Sequence, residues 1–377
     1  MKKTLLTFAI VLIALISKAD VLAFTVNGVS YREVSGGVVN VTAKESGTYS
    51  GSIVVPGTVT YEGFTYSVRE VDDYAFAQCA NLTSVTFEYG VQYIGQYAFL
   101  NSGITSVSLP NSITYISIGV FYGCENLSSI EIPNSVTTIQ SETFAGCTSL
   151  ASVTIPDGVT AIEESAFAGC SILAYVYIPN SVTSIGSSVF YNCGSLVSVH
   201  LPEGITDISH GLFKACHNLD TITIPAGVTT IGANAFSECT GLDTVTCKAL
   251  TPPAMHSTAF SYVNTFEDVV LRVPCEKISV YQADEYWRYF NNMVDECGNS
   301  SAIEKVEENN ALVVYPNPAM ENITLTTEED IYIYNNVGMV VKEISNPKGE
   351  TLIDISDFEC GVYYIRTGNK TQKLIKE

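Results

Sequence analysis

A repeat of 23 residues governs the middle of this chain. Cysteine recurs at 124, 147, 170, 193, 216 and 239, phenylalanine at 121, 144, 167, 190, 213 and 236, leucine at 127, 150, 173, 196, 219 and 242, and proline at 110, 133, 156, 179, 202 and 225. A fixed period of about 20 to 50 residues marks a solenoid, and it overrides any local propensity. The spacing therefore predicts a stack of near-identical coils.

One unit shows how a coil is built. In Cys147 to Gly169 the run Val153-Thr-Ile155 alternates, so Val153 and Ile155 face inward and Thr154 outward. Pro156 has no N–H to donate, so the strand stops there. Val159 and Ile162 turn inward over a second short extended segment. Ala166-Phe167 is expected in one helical or 3₁₀ turn. A single coil cannot cover this apolar set, but its neighbours can, which makes stacking the stable arrangement. Equivalent strands then lie ~4.8 Å apart, and about nine coils from Phe76 to Phe260 give a rod on the order of 40 Å by that spacing. The span from Phe99 to Phe121 is one residue short, with Ser102-Gly103-Ile104 replacing Cys-x-x-Leu, and predicts a local kink.

The flanks differ. Residues 1–19 join a basic start, an apolar run from Leu5 to Ile16 and small residues at 17 and 19, which reads as a secretory signal peptide. Residues 20–70 read as short strands forming an N-terminal β cap, which a solenoid needs at its exposed end. The array is expected over 71–260 and a C-terminal cap over 261–297. There Val269 to Val273 is the last strand, followed by an amphipathic helix from Ser279 to Asn292 whose aromatic face covers the last coil. Residues 298–310 are a polar linker, and 311–377 are a separate small all-β sandwich.

Charge narrows the function. The chain has 18 basic and 39 acidic residues, and without residues 1–19 the balance is 15 against 39, net −24. Residues 70–213 contain neither Lys nor Arg. Nucleic acid needs cationic contacts to phosphate and an anionic membrane attracts basic segments, so both are disfavoured as partners. No stretch after the signal is long and apolar enough to span a membrane.

The repeated pattern Phe-x-x-Cys-x-x-Leu-x-x-Val-x-Ile-Pro-x-x-Val-x-x-Ile resembles the BspA-like leucine-rich repeats, over roughly residues 53–290. The resemblance implies a β-rich solenoid of parallel strands in a secreted or surface protein that binds host or matrix components. The tail carries Tyr315-Pro-Asn-Pro318, Ile331-Tyr-Ile-Tyr334, Gly338, Gly361-Val-Tyr363 and a basic finish from Lys370 to Lys376. In that order these resemble the C-terminal sorting domain of type IX secretion, which implies export through that machinery and then surface attachment or release.

The candidate sites are few. The column cysteines, Cys79 included, read as small buried hydrophobes. A metal needs ligands that converge, whereas a ladder sets them in a row. Neither metal nor cofactor is expected. Cys275 and Cys297 flank the cap helix and are candidates for a disulfide staple. The four histidines fit no zinc-protease or nucleophile-elbow motif, and there is no phosphate loop. Glu163-Glu164 reads as a solvated rim. The outward strand columns are mostly Ser and Thr, and the exceptions Tyr175, Tyr177 and His200 fall on adjacent coils. Exposed tyrosine is enriched in binding hot spots, so these three are the candidate ligand patch. The reading is an adhesin-like, non-catalytic binder of an extracellular protein or glycan. The alternative is a structural surface or matrix component without a specific ligand.

Overall fold

The computed structural model describes residues 22–265, 268–300, 312, 314–335, 340–345, 347–368 and 370–377. The signal segment and most of the linker lie outside them. The chain divides into two units, residues 1–302 and 303–377.

The first unit is a β-solenoid of about ten stacked coils. Each coil contributes a first strand, as at Ser129–Glu131, Ser152–Thr154, Tyr175–Tyr177, Ser198–His200, Thr221–Ile224 and Thr244–Cys247. A two-residue second strand follows, as at Thr138–Ile139, Ala161–Ile162 and Ser184–Ile185. Both kinds pair in parallel with the next coil: Tyr175 opposes Ser198, Thr221 opposes Thr244, and Ile139 opposes Ile162. The phenylalanines form one interior row, with stacked neighbours from Phe76 through Phe260. Phe121, Phe144, Phe167 and Phe190 lie with ring centroids 5.3 to 5.8 Å apart. Dispersion and burial along this row hold the coils together. The short coil keeps its place. Ser102 fills the cysteine position with its hydroxyl on the Cys124 sulfur, and Ile104 takes the leucine position, fully buried.

The expected helical turn at Ala166-Phe167 is instead a series of tight turns. Alternate N–H groups point sideways into the next coil, Ser165 donating to Ser187, Phe167 to Val189 and Gly169 to Tyr191, while Ala166 and Ala168 between them close i→i−3 turns onto Glu163 and Ser165. Amides spent on a neighbouring coil cannot close an i→i−4 helical ladder. Left-handed residues four apart, such as Glu142 and Gly146, or Ser165 and Gly169, turn the chain so that these groups align. A threonine column adds to the lacing, since Thr160 and Thr229 each donate a hydroxyl proton to the threonine carbonyl one coil back.

At the N-terminus, Ala23–Val26, Val29–Ser35 and Val38–Thr42 form an antiparallel meander. Gly51–Val55 and Phe64–Val71 already pair in parallel with strands of the repeating coils. Tyr49 is buried beneath, its hydroxyl donating to the Thr42 carbonyl and accepting from Ser30 N–H.

The C-terminal end departs from the expected long helix. Helix covers only Ile278–Gln282, followed by a 3₁₀ turn at Trp287–Tyr289. Asp284 accepts the N–H groups of Tyr286 and Trp287 and so breaks the helical ladder. Val270–Val273 is not the last strand, because Asn292–Asp295 pairs with it in parallel, Val270 opposing Asn292. The end of the stack is thus one more coil of repeat length. Tyr281 and Trp287 are fully buried in it, donating to the Ala249 and Pro253 carbonyls.

The second unit has two antiparallel sheets. One joins Val314–Tyr315, Asn322–Thr327 and Gly349–Asp354, and the other joins Val340–Ile344, Ile331–Tyr334, Gly361–Thr367 and Lys370–Lys376. Ile323, Leu325, Ile331, Ile333, Ile365 and Leu374 form the centre of its own core.

Candidate functional site

The six-stranded parallel sheet that starts at Tyr175–Tyr177 and ends at Asn292–Asp295 carries the candidate patch. Period-2 alternation turns Val176 and Val199 inward and their neighbours outward. Tyr175 and Tyr177 are 65 % and 59 % exposed, and His200 is exposed on the next strand. Tyr177 opposes His200 in register, and the rings stack at 4.7 Å with planes 6° apart. Tyr175 opposes Ser198, so its ring meets only a small hydroxyl side chain there. Beside His200 lies a hollow of about 310 Å³, lined also by Ser198, Glu203, Thr223 and Lys248. Lys248 Nζ reaches Glu203 Oε1 at 3.0 Å. Both side chains are solvated, so this pair adds little stability, but it leaves one charge of each sign at the rim.

The repeat-column cysteines do more than fill space. Each thiol from Cys124 to Cys239 donates to the carbonyl of the phenylalanine one coil back: Cys147 to Phe121, Cys170 to Phe144 and Cys193 to Phe167, at 3.2 to 3.3 Å. The fixed Phe-x-x-Cys spacing was the signal for this, because it places every sulfur at the same height over the previous turn. Burial pushes the Cys124 thiol up to about 11 and the Cys193 and Cys239 thiols up to about 12. These groups therefore stay protonated donors and poor nucleophiles at neutral pH. An aromatic disulfide reagent is expected to titrate the exposed Cys360 at once and the eight buried free thiols only after denaturant is added. Rapid reaction of several thiols in the native state would contradict the ladder.

Cys275 and Cys297 stand 22 residues apart, at matching places in the last two turns of chain, and are joined by a disulfide with a Cα separation of 5.1 Å. Asp295 organises the loop between them by accepting the N–H groups of Glu276, Cys297 and Asn299 and the Asn299 side-chain amide. That amide above all holds the Asp295 carboxyl below the usual range. Among the described residues no three His, Cys, Asp or Glu side chains converge as metal ligands, and no helix is long and apolar enough to cross a membrane.

Residues 59–174 and 160–282 match the BspA type leucine rich repeat region, in six copies. Those spans cover more than half of the chain. The chain belongs to this family. Residues 313–377 match a secretion system C-terminal sorting domain. A BspA-type array joined to such a tail marks an exported protein of the outer cell surface that engages the secretion machinery. The Tyr-Pro-Asn-Pro motif has a physical task in the tail. Asn317 donates to the Lys373 carbonyl and accepts from Ile375 N–H, pinning the final strand. No curated protein matches the chain. Among solved structures it is similar to a leucine-rich repeat protein from Bacteroides ovatus (22 % identity, 66 % of this chain and 70 % of that one, TM-score 0.47). Two others are a T. pallidum leucine rich repeat protein (27 %, 60 % and 90 %, 0.40) and a leucine rich cell surface protein from Faecalibacterium prausnitzii (22 %, 73 % and 95 %, 0.32).

Proposed function

We propose that this BspA-type protein is an adhesin-like, non-catalytic binder of an extracellular protein or glycan, with Tyr175, Tyr177 and His200 at the centre of its contact surface. The observation that carries this reading is the Tyr177–His200 stack standing out of strand columns built mostly of Ser and Thr. Hydroxyl side chains solvate a strand face, whereas large rigid rings supply contact area at low entropic cost. Tyr175, between the Ser152 and Ser198 positions, keeps its ring open to stack on a sugar or to grip a peptide. The hollow beside His200 gives a ligand a polar rim with Glu203 and Lys248.

Binding of the full chain to arrays of glycans and matrix proteins tests the reading, with Tyr175→Ser/Tyr177→Ser alongside. The variant is expected to fold normally and to lose the array signal by tenfold or more, about 1.4 kcal/mol per tenfold. An unchanged signal would place the contacts elsewhere. No signal from either protein would favour a structural surface component instead.

A further inference from the structure

Tyrosines also pave a different face, on the coils nearest the N-terminus. In the second-strand column Tyr93 stands in register between Glu70 and Tyr115, and the two rings stack at 5.3 Å with planes 3° apart. In the neighbouring turn column Tyr74 stacks on Tyr97 at 5.6 Å. Tyr97 then lies across Gly119, where a Cβ would come within 2.1 Å of its ring, and its hydroxyl reaches Glu142 at 2.7 Å. Tyr122 meets the edge of Tyr97 at 6.2 Å. The ring of Tyr115 is open on its far side, because Thr138 holds the next position in its column.

The surroundings of these rings are acidic. Residues 70–213 hold twelve Asp and Glu and no Lys or Arg. A hollow of about 400 Å³ at the Tyr93 end is lined by Arg32, Glu70, Asp72 and Asp73. Arg32 donates to Asp72 there at 2.6 Å. Among the described residues Glu70, Asp73 and Glu142 form no ion pair. The surface thus already seats one guanidinium and leaves Glu70, Asp73 and Glu142 without a cation.

We propose that this tyrosine–carboxylate face is a second docking surface, which takes an arginine-rich segment of a partner protein. A guanidinium is planar and weakly hydrated. It stacks on aromatic rings and pairs bidentately with carboxylates, both of which this face offers side by side. A lysine ammonium uses the charge but not the planar stacking.

Titrating the full chain with fluorescent octa-arginine and octa-lysine, at rising salt, tests this. The expected result is arginine binding several-fold tighter than lysine. Tyr93→Ser/Tyr115→Ser should weaken octa-arginine binding roughly tenfold with the melting temperature unchanged. The near-isosteric Glu70→Gln/Asp73→Asn pair should weaken it similarly and flatten the salt dependence, which covers a tyrosine variant that misfolds. Tyr175→Ser/Tyr177→Ser should leave it untouched, so this proposal and the reading above fail separately. Equal binding of the two peptides, or full affinity in both face variants, would reduce the effect to diffuse net charge and overturn the proposal.

Discussion

Phe167→Ala is expected to destabilise the repeat array by about 3–5 kcal/mol, the usual cost of emptying a buried aromatic site. Phe167 is fully buried and stacks on Phe144 at 5.3 Å and Phe190 at 5.8 Å. Its loss opens a cavity at two interfaces at once. Collapse to fill it is resisted because the backbone on both sides is pinned by the amide ladder from Ser165, Phe167 and Gly169. Urea denaturation followed by circular dichroism measures the effect. Thr154→Ala, on the solvated face of the same coil, should stay within about 0.5 kcal/mol. A loss below about 1 kcal/mol for Phe167→Ala would mean that the ring row is not what joins the coils. In a solenoid each repeat leans only on its neighbours, so the damage should spread from that coil and lower cooperativity before secondary structure is lost.

Trp287→Ala should do comparable harm in the closing coil, at the C-terminal end of the stack. Trp287 is the only tryptophan in the chain and is fully buried against Phe260, Tyr281 and Phe290. Its indole N–H donates to the Pro253 carbonyl at 2.8 Å. Removing the side chain costs about 3–5 kcal/mol of packing, and the orphaned carbonyl adds about 1–3 kcal/mol unless water reaches it. Trp287→Phe separates the two, since it keeps most of the ring volume and should lose chiefly the hydrogen-bond share. Hydrogen exchange should show protection vanishing first in the strands Val270–Val273 and Asn292–Asp295, then backwards along the stack. If those strands kept full protection in Trp287→Ala, the aromatic cluster would not be the lid of the array.

The two cases differ in how far they could be read in advance. The columns at Phe167, Leu150 and Cys147 repeat in register, and stacking is the one way to hide them, so the interior row follows from spacing alone. The apolar spacing of Tyr281, Trp287 and Phe290 suits either a helix or a coil. The sequence alone favours the helix, because nothing local shows that Asp284 takes two of its N–H groups or that Asn292–Asp295 has a strand to pair with. The same limit hid the tight turns at Ala166-Phe167, where alternate amides such as those of Ser165 and Phe167 answer to residues 22 positions on. It also hid the tyrosine face. Tyr175 and Tyr177 stand out because strand alternation gives their direction. Tyr93 and Tyr115 lie on strands only two residues long, and Tyr74 and Tyr97 on turns, so no short period says which way those side chains point.

The sequence by itself determined the repeating core, the parallel stack and the division into array and sorting tail, because a periodic apolar pattern has only one economical burial. Only the tertiary structure decided what each backbone amide and thiol bonds to, how the last coil closes and which surface rings meet. Those depend on groups far apart in the chain, brought together only after the coils have stacked.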